Sequence, residues 1–175
     1  MIQSPFLLIL LLAFSLGLGM AFAGNGLETG SPAPDFTLTD QNGDPHTLSE
    51  YQGRWVLVYF YPKDDTPGCT MEACTFRDRY ADFKTAELKV FGVSTDGIES
   101  HKKFAEKYDL PFSLLADTSA AVTKLYGVKM PAVRVAKRHS FLIDPEGTIR
   151  KIYRNVTPAD HPEDILEDLK ALKKK

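Results

Sequence analysis

Two cysteines are the residues of this chain best suited to chemistry. Cys69 and Cys74 lie five residues apart in a segment that predicts a helix. Five steps along an α-helix turn about 140° around the axis and rise about 7.5 Å, which separates the two Cα atoms by about 8–9 Å. A disulfide needs Cα atoms within about 7 Å of each other. The thiols can therefore pair only if the helix unwinds locally, which favours a reversible redox pair and leaves a static disulfide as the alternative.

The helix that carries both cysteines is predicted over residues 66–85. Pro67 suits its first position, because the N–H that proline lacks would be unpaired there. Cys69 then falls in the first turn, where free backbone N–H groups and the positive end of the helix dipole stabilise a thiolate. It shares a face with apolar and aromatic residues that are expected to pack on a sheet: Ala73, Phe76, Tyr80 and Phe83. Cys74 lies toward the solvated side.

Strands and helices alternate in the segments that must position this helix. Strands are predicted at residues 36–39, 55–61, 90–94, 112–115, 140–143 and 149–153, and further helices at residues 98–108, 120–126 and from Pro162 onward. The segment 55–61 is apolar throughout and rich in β-branched and aromatic residues, which is typical of a central strand covered on both faces. Asn42-Gly43 predicts a hairpin turn. The pattern predicts a single α/β layered domain.

Length, charge and cysteine count exclude several classes of protein. The chain has 175 residues, which suits one domain, and a formal net charge of −2. A near-neutral balance without a basic block argues against nucleic acid as a partner. Two cysteines cannot supply a four-thiolate zinc site or a disulfide-rich scaffold.

The N-terminal segment predicts export. Residues 1–23 contain no Asp, Glu, Lys or Arg, and their apolar run at residues 6–18 is shorter than the ~20 residues of a membrane-spanning helix. Ala21 and Ala23 then supply the small residues of a cleavage site. We predict a signal peptide over residues 1–23 and one domain over residues 24–175, in an exported, periplasmic protein. An uncleaved membrane anchor and a buried core helix are the alternatives.

Two segments carry a resemblance to a known family. The run from Pro62 to Cys69, PKDDTPGC, fits the pattern P-x-x-x-T-x-x-C of the peroxiredoxin active site. Its extension to Cys74, TMEAC, resembles the Q-type branch, also called bacterioferritin comigratory protein. The later segment RHSFLID, which begins at Arg138, is similar to the arginine-bearing strand of that branch. The resemblance extends from about Gly30 to the C-terminus.

The resemblance implies a thioredoxin-like fold, a three-layer α/β/α sandwich around a mixed sheet. It implies a peroxidase that reduces hydrogen peroxide and organic hydroperoxides to water and alcohols, without metal, flavin or haem. Cys69 would be the peroxidatic cysteine, oxidised to a sulfenic acid. Cys74 would be the resolving cysteine, and thioredoxin or a thioredoxin-like donor would reduce the disulfide between them. The branch also implies a monomer.

The same resemblance assigns the remaining site residues. Arg138 is a permanent cation that would stabilise the Cys69 thiolate and donate to the peroxide oxygens as the O–O bond stretches. Thr66 would offer its hydroxyl to the same oxygens. The backbone N–H groups of Gly68 and Cys69 would form an anion-binding turn at the helix start. Pro62 would exclude water from the thiolate.

Each of these residues has a structural alternative. Thr66 could serve only as the helix N-cap. Arg138 could be a surface arginine on a strand, and Pro62 could simply end a strand. Glu72 is interpreted as a favourable acid in the first turn of the helix. Residues 63–65 are expected to form a solvated loop.

No histidine is predicted to take part in the chemistry. His139 follows Arg138 on a strand and therefore points to the opposite face, which argues against a Cys–His hydrolase pair. His46, His101 and His161 lack the spacing of metal ligands and are expected to be solvated.

Two other functions compete with the peroxidase. A general thiol–disulfide oxidoreductase places its cysteines as C-x₂-C, close enough to bridge without unwinding, whereas this pair is spaced farther apart. An exported, non-enzymatic domain would hold a structural disulfide between Cys69 and Cys74. That disulfide would resist mild reductant, and its opening would leave the fold unchanged.

Overall fold

The computed structural model describes residues 26–174, so the predicted signal segment lies outside the described residues. Seven strands form one sheet in this range: β1 (Thr37–Asp40), β2 (Pro45–Thr47), β3 (Trp55–Phe60), β4 (Leu88–Ser94), β5 (Ser113–Ala116), β6 (His139–Ile143) and β7 (Ile149–Tyr153). The α-helices are α1 (Pro67–Asp78), α2 (Tyr80–Thr85), α3 (Ile98–Tyr108), α4 (Ala121–Leu125) and α5 (His161–Leu172). None of these helices is both long enough and apolar enough to cross a membrane.

The sheet is mixed, and its centre is parallel. The strand order is β2-β1-β5-β4-β3-β6-β7. β4 pairs in parallel with both β3 and β5, whereas β6 lies antiparallel against β3. The sequence of β3, WVLVYF, is apolar, and all of its residues after Trp55 are buried. The prediction of a central strand covered on both faces is confirmed.

Helices cover both faces of the sheet. One face packs against α1, α2, α3 and α5 in a cluster that includes Tyr59, Phe76, Phe83, Phe104 and Ile165. The other face packs against α4 and against Tyr126, the residue that follows α4. This second cluster includes Phe60, Val122, Tyr126 and Phe141. The chain therefore forms the three-layer α/β/α sandwich with a mixed sheet that the resemblance implied.

Most element bounds agree with the predictions from sequence. The strand predicted at residues 149–153 and the helix predicted at residues 98–108 coincide with β7 and α3. Asn42-Gly43 turns the chain between β1 and β2, with the Gly43 N–H donating to the Asp40 carbonyl at 3.1 Å. Local patterning sets these elements, so the sequence alone locates them.

The helix predicted over residues 66–85 is in fact two helices. α1 ends before Arg79 and α2 begins after it, with Arg79 at φ −101° and ψ 9°. Tertiary packing accounts for the break. The rings of Phe76 and Phe83 meet with centroids 5.6 Å apart, and both are fully buried. Arg79 also pairs with Glu163 of α5, its Nη2 2.9 Å from Oε2.

Three histidines expected to be solvated lie inside the fold, so that expectation is wrong. His101 and His161 are fully buried. His46 is half-buried, and its ring nitrogens lie 3.0 Å from Asp40 Oδ2 and 2.6 Å from Tyr51 Oη. His101 and His161 bond to residues that lie far from them in the chain, and spacing alone does not reveal such contacts.

Candidate active site

The candidate site forms where the chain leaves β3 and enters α1. Pro62 lies two residues after β3 and is half-buried. Thr66 takes the N-cap position of α1, and Pro67 takes its first helical position. The Thr66 hydroxyl donates to the Lys63 carbonyl at 3.0 Å and makes no capping bond to the helix. Thr66 therefore occupies the N-cap position, as the structural alternative expected. Its side chain, however, bonds to the preceding loop and not to the helix.

Cys69 lies in the first turn of α1 with only 2% of its surface exposed. The first backbone bond of the helix runs from the Thr70 N–H to the Thr66 carbonyl, at 2.8 Å. The amides of Gly68 and Cys69 precede it, so the helix offers them no carbonyl. The turn therefore presents two free N–H donors beside the sulfur. The predicted role of these two amides in peroxide binding requires such free donors.

Arg138 lies directly before β6 and reaches Cys69 from there, so the predicted arginine-bearing strand begins one residue later, at His139. β6 pairs with β3 so that His139 stands opposite Phe60, which places Arg138 beside the end of β3. Its Nη2 donates to Cys69 Sγ at 3.3 Å. Its Nη1 bonds to Oε2 of Glu72. The guanidinium bridges a buried thiol and a buried carboxyl, so the alternative of a surface arginine is wrong.

Gly68 allows the guanidinium to approach this closely. A Cβ at this position would lie 3.2 Å from Arg138 Nη2, tighter than ordinary contacts of a side chain. A side chain at residue 68 would therefore force the guanidinium of Arg138 to shift by a few tenths of an ångström. Gly68 has a steric role in addition to the backbone N–H that the sequence suggested.

Glu72 is the site residue whose importance was not predicted. It lies in the second turn of α1, so its interpretation as a first-turn acid is wrong. Its side chain is fully buried, with Oε2 against Arg138, and its Oε1 has no hydrogen-bond partner within residues 26–174. Residues three apart on a helix lie on the same side, and this spacing from Cys69 is the signal that could have identified it.

Burial and ion pairing oppose each other in the Arg138–Glu72 pair. Burial raises the pKa of Glu72 from its ordinary 4.5 to about 7, and Arg138 offsets this only in part. Burial also disfavours the charge on Arg138, but Glu72 and Cys69 together hold the pKa of the guanidinium above its ordinary value. Arg138 therefore stays charged, and protonation of Glu72 leaves more of that charge available to Cys69.

A buried polar network anchors the loop before α1 to α3. Asp64 is 7% exposed, and its carboxylate accepts hydrogen bonds from Tyr61 Oη and Ser100 Oγ, both at 2.7 Å. His101 Nδ1 lies 2.9 Å from the same carboxylate. The adjacent Asp65 is exposed and bonds to the last turn of α3. The expectation of a solvated loop is therefore wrong for Asp64, because two of its partners, Ser100 and His101, lie far away in the sequence.

Cys74 is half-buried, and both cysteines are free thiols. α1 is a continuous helix through both residues, so it keeps their Cα atoms about 8–9 Å apart. The predicted disulfide therefore requires α1 to unwind locally.

The remaining histidine near the site faces away from it. Phe141 packs in the cluster beside α4, whereas Leu142 packs in the cluster beside α1. Because side chains alternate along a strand, His139 shares the face of Phe141, opposite to Cys69. Between residues 26 and 174, no group of three His, Cys, Asp or Glu residues is placed to hold a metal ion.

His161 and Glu72 make stability depend on pH in opposite directions. The His161 ring is buried with Nε2 2.8 Å from Ser140 Oγ, and burial together with the Arg138 charge lowers its pKa from 6.5 to about 4. Its contribution to the free energy of unfolding therefore rises between pH 4 and 6.5. The pKa of Glu72 is raised to about 7, so its contribution falls between pH 4.5 and 7. Each contribution is about 3 kcal/mol, and the two nearly cancel.

Replacing either residue is predicted to expose the contribution of the other. In Glu72→Gln the free energy of unfolding should rise by about 2–3 kcal/mol between pH 4.5 and 6.5, because the contribution of His161 is then no longer offset by Glu72. In His161→Gln it should fall over the same range. Urea unfolding at a series of pH values measures both, with the wild-type profile as the reference. An identical profile in Glu72→Gln and the wild type would show that Glu72 does not titrate there.

The site lies within a recognised family domain. The chain matches the AhpC/TSA family model over residues 29–152. This range includes the loop, α1 and Arg138, which together hold every residue of the candidate site. The chain therefore belongs to the AhpC/TSA family.

Its relatives by sequence and by structure are peroxiredoxins. Peroxiredoxin Q, chloroplastic, of Sedum lineare is 46% identical over 146 residues, covering 82% of this chain and 78% of the relative. The putative peroxiredoxin bcp of Coxiella burnetii is 40% identical over 146 residues, covering 80% and 97%. A cysteine-to-serine mutant of Xylella fastidiosa PrxQ superposes with a TM-score of 0.80 at 32% identity, covering 86% of this chain and 99% of that one. Peroxidoxin BcpB of Mycobacterium tuberculosis superposes with a TM-score of 0.77 at 34% identity, covering 83% and 97%.

The predicted family and the predicted fold are therefore confirmed. The relatives carry the names of the Q-type branch that the segments around Cys69 and Arg138 suggested. The structural neighbours share the layered α/β architecture over nearly their whole length. The individual roles of the site residues stay predictions.

Proposed function

We propose that the chain is a thiol-dependent peroxidase in which Cys69 is the peroxidatic cysteine. The observation that carries this proposal is the 3.3 Å contact between Arg138 Nη2 and the buried Cys69 Sγ, at the start of a helix. A cation and free backbone amides around one sulfur stabilise the thiolate, which is the nucleophilic form. The relatives named peroxiredoxin support the same activity.

The first step transfers an oxygen atom from the peroxide to sulfur. The Cys69 thiolate attacks the terminal oxygen of a hydroperoxide, and the S–O bond forms as the O–O bond breaks. The departing hydroxide or alkoxide takes up a proton and leaves as water or an alcohol. Arg138 stabilises the charge as it moves to the departing oxygen, because its Nη2 already faces the sulfur. The Gly68 amide completes the set of donors, the Thr66 hydroxyl would join them by turning away from the Lys63 carbonyl, and Pro62 limits the access of water.

In the second step Cys74 resolves the sulfenic acid. The Cys74 sulfur attacks the Cys69 sulfur, the S–S bond forms as the S–O bond breaks, and the hydroxyl leaves with the thiol proton as water. Thioredoxin or a thioredoxin-like donor then reduces the disulfide, which returns both residues to thiols. Neither step needs a metal, a flavin or a haem.

The protein is proposed to act as an exported monomer. Residues 1–23 carry no charged side chain and end in Ala21-Phe22-Ala23, which supports a signal peptide followed by one domain over residues 24–175. The resemblance to the Q-type branch, whose names the relatives carry, supports a monomer. An oxidising compartment tends to keep such a disulfide formed, so a reducing relay must supply the electrons there.

One equivalent of hydrogen peroxide, added to the reduced protein, tests the proposed function. The intact mass should fall by two hydrogens, alkylation of thiols should stop, and peptide mapping should link Cys69 to Cys74. This oxidation should be much faster than that of free cysteine. Oxidation at the rate of free cysteine would contradict the proposal and favour a passive disulfide. Efficient reduction of insulin disulfides without peroxide would instead support a thiol–disulfide oxidoreductase.

A further inference from the structure

The unwinding of α1 is the conformational step on which resolution by Cys74 depends. α1 is separated from α2 at Arg79, so its turns can open while Phe83 keeps α2 packed in the core. The contacts that hold α1 closed near Cys74 therefore oppose the approach of the two sulfurs.

Thr75, the residue after Cys74, makes the contact best placed to oppose this opening. Its hydroxyl lies 2.9 Å from the Pro158 carbonyl and 2.9 Å from the Glu72 carbonyl, and its single proton is shared between these two acceptors. Pro158 lies in the segment between β7 and α5, distant from α1 in the chain. The Thr75 side chain thus joins the turn that carries Cys74 both to the turn before it and to a separate part of the fold.

Two other side chains hold α1 farther along. Arg77 Nη1 donates to the Tyr108 carbonyl at 2.8 Å, and Arg79 pairs with Glu163. Arg77 lies in the last turn of α1 and Arg79 directly follows the helix, so both lie beyond the segment between the two cysteines. These contacts can persist while that segment opens, whereas the Thr75 contact adjoins Cys74 directly.

We propose that the Thr75–Pro158 hydrogen bond, the Thr75 tether, sets the rate at which Cys74 resolves the oxidised Cys69. The proposal rests on the proposed function of the two cysteines. While the tether holds α1 closed, the Cys69 sulfenic acid stays out of reach of the Cys74 thiol. A second peroxide can then oxidise it to a sulfinic acid, adding one oxygen to sulfur and releasing water or an alcohol. The tether thereby makes the site sensitive to overoxidation.

Thr75 is a positioning residue that acts, through the tether, on the resolution step alone. It has no contact with Cys69 Sγ, Arg138 or Thr66 among the hydrogen bonds of residues 26–174. Its removal should therefore leave the reaction of Cys69 with the first peroxide unchanged. A general loss of structure would slow both steps together.

Thr75→Val removes the hydroxyl and keeps the shape of the side chain. Resolution should become about fivefold faster, which corresponds to about 1 kcal/mol for one hydrogen bond. The peroxide concentration that converts half of the protein to sulfinic acid should rise by the same factor. Quenched-flow mixing with peroxide, followed by thiol alkylation and intact mass, measures the sulfenic, disulfide and sulfinic forms separately.

Two variants serve as controls. Thr75→Ser keeps the hydroxyl and should resolve at nearly the wild-type rate. Thr85→Val makes the same change in α2, where the Thr85 hydroxyl donates to the Ala81 carbonyl of its own helix at 3.0 Å. It should leave both rates unchanged, which separates the tether from a change in helix propensity.

The outcomes distinguish the tether from the proposed function. Faster resolution in Thr75→Val alone supports the tether. Equal rates of resolution in Thr75→Val and the wild type, with normal formation of sulfenic acid, would overturn the tether and leave the peroxidase intact. Failure of the wild type to form a sulfenic acid or a disulfide would overturn both.

Discussion

The Cys69→Ser variant is expected to lose peroxide turnover by about a thousandfold or more, because a serine hydroxyl is not ionised at neutral pH and attacks peroxide poorly. The fold should be retained, since Cys69 and serine differ by one atom in a nearly closed site. Turnover with a thioredoxin-like reductant and hydrogen peroxide measures the effect. Cys69→Ser should also show no fast oxidation of Cys74.

The Cys74→Ser variant is the matched control for this prediction. It should react once with peroxide at the wild-type rate and stop at the sulfenic acid, because Cys69 and Arg138 are untouched. Intact mass should then show the gain of one oxygen and no disulfide. Equal and partial losses of activity in the two variants would contradict the separate roles of Cys69 and Cys74.

The second large effect is expected from Arg138→Met. The rate of Cys69 oxidation should fall by about a hundredfold, because a donor aimed at the reacting sulfur and the departing oxygen is lost. Stability should also fall, by about 3 kcal/mol, because the buried Glu72 then has no cationic partner. Stopped-flow oxidation and urea unfolding measure the two effects independently.

A double variant separates catalysis from stability. Glu72→Gln combined with Arg138→Met removes both members of the buried pair, so most of the lost stability should return while oxidation stays slow. Arg134→Met is the control for loss of an arginine, because Arg134 lies on the surface and donates to the Thr118 carbonyl. Recovery of the oxidation rate in the double variant would show that Arg138 is only structural.

The local part of the site could be predicted from the sequence because it depends on neighbouring residues. Pro67 marks the first position of α1, and this places Cys69 in the first turn with free amides beside it. The five-residue spacing to Cys74 determines the separation of the two sulfurs on an intact helix. The alternating strands and the apolar β3 likewise determine the layered α/β class.

Distant partners could not be predicted in the same way. Asp64 was expected to be solvated, yet it is buried against His101, which α3 brings to it. The break at Arg79 also depends on packing, since Phe76 and Phe83 meet in the core. Local propensity gives no sign of the burial of Asp64 or of the break at Arg79, because both depend on contacts between separate elements.

The sequence was enough to locate the two cysteines, their helix and the family to which the motif belongs, because each rests on short-range spacing. The tertiary structure was needed to show that Arg138 meets Cys69 at 3.3 Å, since this depends on the pairing of β6 with β3. It also decided that Glu72 is buried, and burial is what raises the pKa of its carboxyl to about 7. Burial and charge depend on which distant elements pack together, and no local pattern carries that information.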